Sequence, residues 1–315
     1  MDTKYANGVK LKLDKIIQEN VISNAYIFHG PKHVEKKETA LRFIAEIIRV
    51  NNSDSGAYQK IKDNNYPDYL KIEPTYISKG TLINQSEIDN EKNQTNKALI
   101  RIEQIRKIKV FLSKKSIYSE KKFIIIEDAH LLNEASSNCL LKTLEEPTNG
   151  VFILLTSRLN VLLDTIISRC QTIRFKPYST QELKQFLEQS KNKKTDLLSD
   201  SEVLEHLIFI SNGSPGKLVD NIEIWNQIPE NIKDEINYPL KNYENILMLA
   251  KNITTHLDLK QQEFLLNYIQ RVWWKKTKDK KSVEILETVK NNINLNIQPR
   301  ISWEIGFLNI KLQDS

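Results

Sequence analysis

Phe123-Ile-Ile-Ile-Glu-Asp-Ala-His-Leu-Leu-Asn-Glu-Ala-Ser-Ser-Asn-Cys-Leu-Leu-Lys-Thr-Leu-Glu-Glu-Pro-Thr-Asn-Gly-Val-Phe-Ile-Leu-Leu155 decides the fold class of this chain. Two short, unbroken apolar runs, 123–126 and 151–155, flank a segment of helical period. Runs without apolar/polar alternation suit strands covered on both faces, as in a parallel sheet. Between them, Ser137, Leu140, Leu141 and Leu144 share one helix face and Pro147 ends the helix. Upstream, Ala25–Phe28 reads as a strand, Thr39–Val50 as a helix, Tyr66–Ile72 as a strand and Ile102–Leu112 as a helix. Residues 8–20 read as an amphipathic helix, 51–65 as a loop and the stretch through Asn96 as a polar insertion. Alternating strands and helices predict a doubly wound parallel α/β sheet.

Past Phe175 strand signals nearly vanish. Pro177 breaks the chain, and helices are predicted at 181–189, 200–211, from the turn Asn212-Gly-Ser-Pro-Gly216, and at 242–251, 259–274 and 282–291. The predicted division is an α/β domain over 1–176, a small helical domain over 177–222 and an all-helical domain over 227–315.

The chain has 315 residues, 40% hydrophobic and 27% charged, with a formal charge of +6. This is globular composition with a modest basic excess, compatible with a polyanionic partner and equally with compositional drift. No run approaches the ~20 apolar residues that cross a bilayer. The polar start Met1-Asp-Thr-Lys-Tyr has no signal-peptide core, so a cytoplasmic location is expected. Two cysteines, Cys139 and Cys170, predict neither a disulfide framework nor a zinc site.

Between the first strand and its helix, Gly30-Pro-Lys-His-Val-Glu-Lys-Lys37 stands where a phosphate loop G-x-x-x-x-G-K-[ST] would be. Gly30 and Lys36 fit that pattern. Glu35 replaces the second glycine and Lys37 the Mg²⁺-binding hydroxyl, so a carboxylate lies where phosphates would. Lys36 then reads as an ordinary surface lysine. The strand 123–126 ends in Glu127-Asp128, the place of a Mg²⁺-binding and water-polarising pair. The usual Asp-Glu order is inverted, and the pair reads instead as a cap on the strand and its turn. His130 reads as a surface or capping residue.

Asn133 to Pro147, followed by Thr165-Ile-Ile-Ser-Arg-Cys-Gln171, resembles the clamp-loader branch of the AAA+ family. With Ala25-Tyr-Ile-Phe-His-Gly-Pro31 and Tyr66-Pro-Asp68, the resemblance is to the delta-prime subunits of bacterial DNA polymerase III, over about residues 8–220. It implies a P-loop-type AAA+ sheet domain, a small helical lid and a helical oligomerisation collar. It also implies that Arg169 acts as an arginine finger on ATP-Mg held by a neighbouring gamma/tau-like motor subunit. A delta-like subunit, the sliding clamp and primed DNA would complete the assembly, with no membrane involved.

By the same resemblance Thr156 or Ser157 occupies the sensor-1 position and Lys217 the sensor-2 position. Gly30, Lys36, Glu127, Asp128 and Lys217 become vestiges of a nucleotide site. Related subunits often carry four zinc-binding cysteines after the loop helix; residues 51–65 have none, so no metal or cofactor is expected in this chain. Two other readings stay open: an ATP-hydrolysing gamma/tau-like motor subunit, and a DNA-binding protein outside any loader.

Cys170 reads as a small residue locking a turn. Arg271-Val-Trp-Trp-Lys-Lys-Thr-Lys-Asp-Lys-Lys281 reads as a packing surface anchored by Trp273 and Trp274 with a solvated lysine end, the alternative being stacking on single-stranded DNA.

Overall fold

A computed structural model describes residues 7–52, 54, 56–78, 81–84, 87, 98–146, 149–189, 201–236, 242–295 and 297–313. The chain divides into two compact units, 1–177 and 178–315.

The first unit contains strands β1 (Ala25–His29), β2 (Tyr69–Ile72), β3 (Thr75–Ser78), β4 (Thr81–Asn84), β5 (Lys122–Ile126), β6 (Gly150–Thr156) and β7 (Gln171–Arg174). Five of them form one sheet in the order β2-β5-β6-β1-β7, with every pairing parallel. His29 lies opposite Thr156 and Ile126 opposite Leu154, so the chain leaves β1, β5 and β6 at one edge of the sheet. In an open parallel sheet that carboxyl edge is where ligands bind. Every residue of β5 and β6 is buried, as their unbroken apolar runs predict.

Among the described residues the α-helices that accompany the sheet are α1 (Asn7–Gln18), α2 (Lys36–Asn52), α3 (Ala57–Lys62), α4 (Ile102–Ser113), α5 (Glu134–Glu145) and α6 (Asp164–Ile167). Ile105 and Ile108 of α4 and Leu140 of α5 pack with Ile27, Ile124, Ile126, Phe152 and Leu154 in one buried cluster. Three features depart from the sequence reading. Helix α2 begins at Lys36, so both loop lysines belong to its first turn. The stretch read as loop holds α3, which buries Ala57 and Ile61 one turn apart. The stretch read as a polar insertion opens with the antiparallel pair β3–β4.

Asp68 explains the Tyr-Pro-Asp signature structurally. It is 1% exposed, and its carboxylate accepts from the backbone N–H groups of Ile117, Tyr118 and Ser119 at 2.6–3.0 Å and from the Ser119 hydroxyl at 3.3 Å. The turn entering β5 is thereby tied to the residue that enters β2. Charge-assisted bonds to several amides are among the strongest a carboxylate makes.

The second unit comprises α7 (Thr180–Gln189), α8 (Ser201–Ile210), α9 (Pro215–Gln227), α10 (Glu230–Glu235), α11 (Tyr243–His256), α12 (Leu259–Thr277), α13 (Lys280–Asn294) and α14 (Pro299–Gln313). One buried apolar cluster runs from Leu183 to Ile310. It is continuous across residues 222–227, with Trp225 and Tyr268 ring centroids 4.4 Å apart. Trp273 is fully buried and its Nε1 donates to the Ile236 carbonyl at 2.9 Å. Trp274 is not part of that packing and stands 38% exposed. Among the described residues no helix is long and apolar enough to cross a membrane. Nor does any group of three or more His, Cys, Asp and Glu among them gather as for a metal ion.

Candidate functional site: the loop after the first strand and an exposed arginine

The loop 30–37 leaves the carboxyl end of β1 and turns into α2. The Gly30 N–H donates to the Thr156 carbonyl at 3.2 Å and the Phe175 N–H to the His29 carbonyl at 2.7 Å. A Cβ on Gly30 would stand 2.3 Å from the Phe175 carbonyl oxygen, so only glycine fits there. Glu35 adopts φ 58°, the left-handed conformation that the missing glycine would take without strain. For a side-chain-bearing residue that geometry costs roughly 1–2 kcal/mol. The loop thus carries a carboxylate on a left-handed residue at the position of the second glycine.

Lys36 is not an ordinary surface lysine. It is half-buried, and its Nζ donates to the loop's own carbonyls, Gly30 at 2.9 Å and Pro31. Burial pushes its pKa down to about 8, against the opposing pull of Asp128 and with the help of Lys32. In a nucleotide site this ammonium would face phosphate oxygens; here the loop satisfies it internally.

Lys37 stands where a hydroxyl would hold Mg²⁺, and its Nζ lies 2.7 Å from Glu127 Oε1 at the end of β5. That oxygen accepts no hydrogen bond of regular geometry, so the contact is an ion pair without a directed bond. An ammonium thus occupies the cationic place beside the carboxylate. The capping role read for Glu127-Asp128 is not carried by their side chains. Asp128, at φ 45°, makes no side-chain cap, and its carbonyl accepts from the Leu131 N–H at 2.8 Å.

His130 is buried, not on the surface. Its Nδ1 lies 3.3 Å from Thr156 Oγ1 and 3.9 Å from Asp128, and burial above all lowers its pKa. Thr156 is fully buried and its Oγ1 also accepts from the Arg158 N–H at 3.1 Å. Of the two sensor-1 candidates, Thr156 is the one engaged at this edge; Ser157 is half-buried beside it.

Arg169 sits on the turn after α6, closed by its own N–H to the Ile166 carbonyl at 3.2 Å and by Cys170 N–H to Ile167 at 3.1 Å. Its side chain is exposed. Nη2 donates to Glu145 Oε1 at 2.6 Å and Nη1 to the Thr165 carbonyl at 2.9 Å. The two most distinctive stretches of the sequence, the end of α5 and Ser168-Arg169-Cys170, are thus physically joined. Glu145 was missed as a site residue because only the fold brings it to Arg169. The Cys170 thiol is pushed up to about 12 by burial, which suits a turn-locking residue and not a nucleophile. Lys217 lies in the second unit, half-buried on the first turn of α9, where its N–H donates to the Ser214 side chain at 3.2 Å.

The family model described as "DNA polymerase III, delta subunit" matches residues 6–179, and that described as the C-terminal domain of cyanobacterial DNA polymerase III delta prime matches 181–310. The chain is 26% identical over 214 residues to the DNA polymerase III subunit delta' of Bacillus subtilis, covering 66% of this chain and 55% of that protein. It is 27% identical over 201 residues to the delta' subunit of Pseudomonas aeruginosa, covering 61% and 54%. The gamma/tau subunit of Mycoplasma genitalium is 31% identical over 224 residues, 70% of this chain and 34% of that one. The chain thus spans about half the length of the delta' relatives it matches. Among solved structures, a DNA polymerase III gamma subunit-related protein of Thermotoga maritima covers 96% of this chain and 99% of its own, at 17% identity and TM-score 0.49. With its model matched across the α/β unit, the chain belongs to the DNA polymerase III delta-subunit family, in the clamp-loader branch of the AAA+ proteins.

Proposed function

We propose that this chain is a delta-prime-like subunit of a DNA polymerase III clamp loader that does not hydrolyse ATP and supplies Arg169 to ATP-Mg held by a neighbouring gamma/tau-like subunit. The observation that carries this reading is the Lys37–Glu127 ion pair. A fixed ammonium beside the water-polarising carboxylate competes with Mg²⁺, and Glu35 sets a negative charge against the phosphates. Arg169, by contrast, is exposed at a turn, and a planar guanidinium suits bidentate contact with phosphate oxygens.

The other partners in this reading are a delta-like subunit, the sliding clamp and primed DNA. Residues 177–222 would form the lid and 227–315 the collar that holds the chain in its assembly. The chain itself would need no metal or cofactor. Reconstitution with the remaining loader subunits tests the proposal. Arg169→Ala should preserve assembly and lower clamp- and DNA-stimulated ATP hydrolysis severalfold, because one of several active sites loses its finger. A mutant complex of normal composition that hydrolyses ATP and loads clamps at the unmutated rate would refute it.

A further inference from the structure

Along one stripe of α12, cationic and aromatic groups alternate. The Arg271 guanidinium stacks on Phe209 of α8, its Cζ 3.5 Å from the ring centroid. Trp274 follows one turn later, and Lys278 one turn beyond, its Nζ 5.6 Å from the Trp274 ring centroid. Arg271 and Trp274, three residues apart, share one face of α12, and Lys278 is the left-handed C-cap residue that ends the helix beside them. Trp273 is the fully buried tryptophan of this helix, and Trp274 stands partly exposed beside it.

Only some of the cations here are paired. Lys275 pairs with Glu202 and Glu205, and Lys280 with Glu284. Arg271, Lys276, Lys278 and Lys281 form no ion pair with a carboxylate among the described residues. The Nε of Arg271 is buried without a hydrogen-bond partner. Asp279, the acid of the α12–α13 turn, is engaged by the N–H groups of Lys281 and Ser282 and by the Ser282 hydroxyl.

We propose that this corner between α12 and α13 binds single-stranded nucleic acid. Trp274 would be a stacking platform for an unpaired base, and the Phe209-backed guanidinium of Arg271 a second planar surface. Lys276, Lys278 and Lys281 would contact phosphates. Stacking faces beside unneutralised cations are how proteins hold single strands without reading sequence. A duplex offers no free base face, and an acidic peptide has no use for the indole. The site is independent of the arginine-finger reading.

The test is titration of the full chain with an oligo-dT of about 20 nucleotides, longer than typical single-strand sites. Fluorescence anisotropy would be read between about 50 and 200 mM salt. Trp225, Trp273 and Trp303 are buried, so quenching of tryptophan emission on binding reports Trp274. Trp274→Ala should weaken binding roughly tenfold and abolish the quenching, with Trp274→Phe largely restoring affinity. Lys276→Gln/Lys278→Gln/Lys281→Gln should lower the slope of log affinity against log salt by about 2. Arg169→Ala should bind as the unmutated chain. Unchanged binding by both the Trp274→Ala and the triple lysine variants overturns the proposal. So does a duplex or a polyglutamate peptide binding as tightly as the single strand.

Discussion

The guanidinium of Arg169 is held against Glu145 Oε1 at 2.6 Å, across 24 residues of sequence. Both side chains are partly exposed, 38% and 47%, and exposed pairs of this kind contribute at most about 1 kcal/mol. The pair therefore orients the side chain more than it stabilises the fold. Arg169→Ala should shift the unfolding midpoint by no more than about 0.5 kcal/mol equivalent. In the reconstituted loader Arg169→Lys should rescue ATPase poorly, since an ammonium keeps the charge and loses the planar fork. Full rescue by lysine would show that charge alone is used.

The Lys37–Glu127 contact and the left-handed Glu35 lead to a gain-of-function prediction. The unmutated chain should show no measurable ATP-Mg affinity by calorimetry. Glu35→Gly/Lys37→Thr places a glycine at the left-handed position and a hydroxyl beside Glu127. Affinity should rise roughly tenfold or more, since each removed repulsion is of the order that changes binding by that factor. Micromolar ATP binding by the unmutated chain would defeat the reading, as would a double variant still blind to nucleotide.

Phe123–Ile126 and Val151–Leu155 announced a parallel sheet because burial on both faces leaves no polar alternation. Helix α14 had a readable signal, the buried Trp303, Phe307 and Ile310 at helical spacing, that the reading did not use. Strands β3 and β4 had little to read: each has four residues, and Ile77 and Leu82 are exposed. The site divides the same way. The loop's identity lay in Gly30, Glu35 and Lys36, which are close in sequence. The Lys37–Glu127 and Arg169–Glu145 contacts did not, because only the order of parallel strands and the packing of α5 create them.

Lys36 provides a pH signature. Its pKa is about 8 in the folded chain, below the ~10.4 of an unfolded lysine. Between those values the unfolded chain holds the proton that the folded chain has released, so stability rises with pH. Below about pH 8 both states are protonated and the burial penalty is fully present. The stability of the unmutated chain relative to Lys36→Met should therefore increase from pH 8 to pH 10. A flat difference across that window, measured by urea unfolding, would mean that the two loop carbonyls offset the burial completely.

Asp68 gives the clearest structural prediction. Its buried carboxylate gathers the N–H groups of three consecutive residues, Ile117, Tyr118 and Ser119. Asp68→Ala leaves those donors without their acceptor in a partly buried turn, a loss on the order of 3 kcal/mol. Asp68→Asn is no conservative repair, because one carboxylate oxygen becomes an NH2 that faces the backbone donors and only one acceptor oxygen remains. Both variants should expose the turn that enters β5 before the rest of the unit opens. Hydrogen exchange reads this directly, with the amides of Ile117, Tyr118 and Ser119 protected in the unmutated chain and exchanging fast in either variant. The buried amides of β5 should stay protected. If the three turn amides kept their protection in Asp68→Ala, the carboxylate would not be what holds the turn, and the Tyr-Pro-Asp signature would need another explanation.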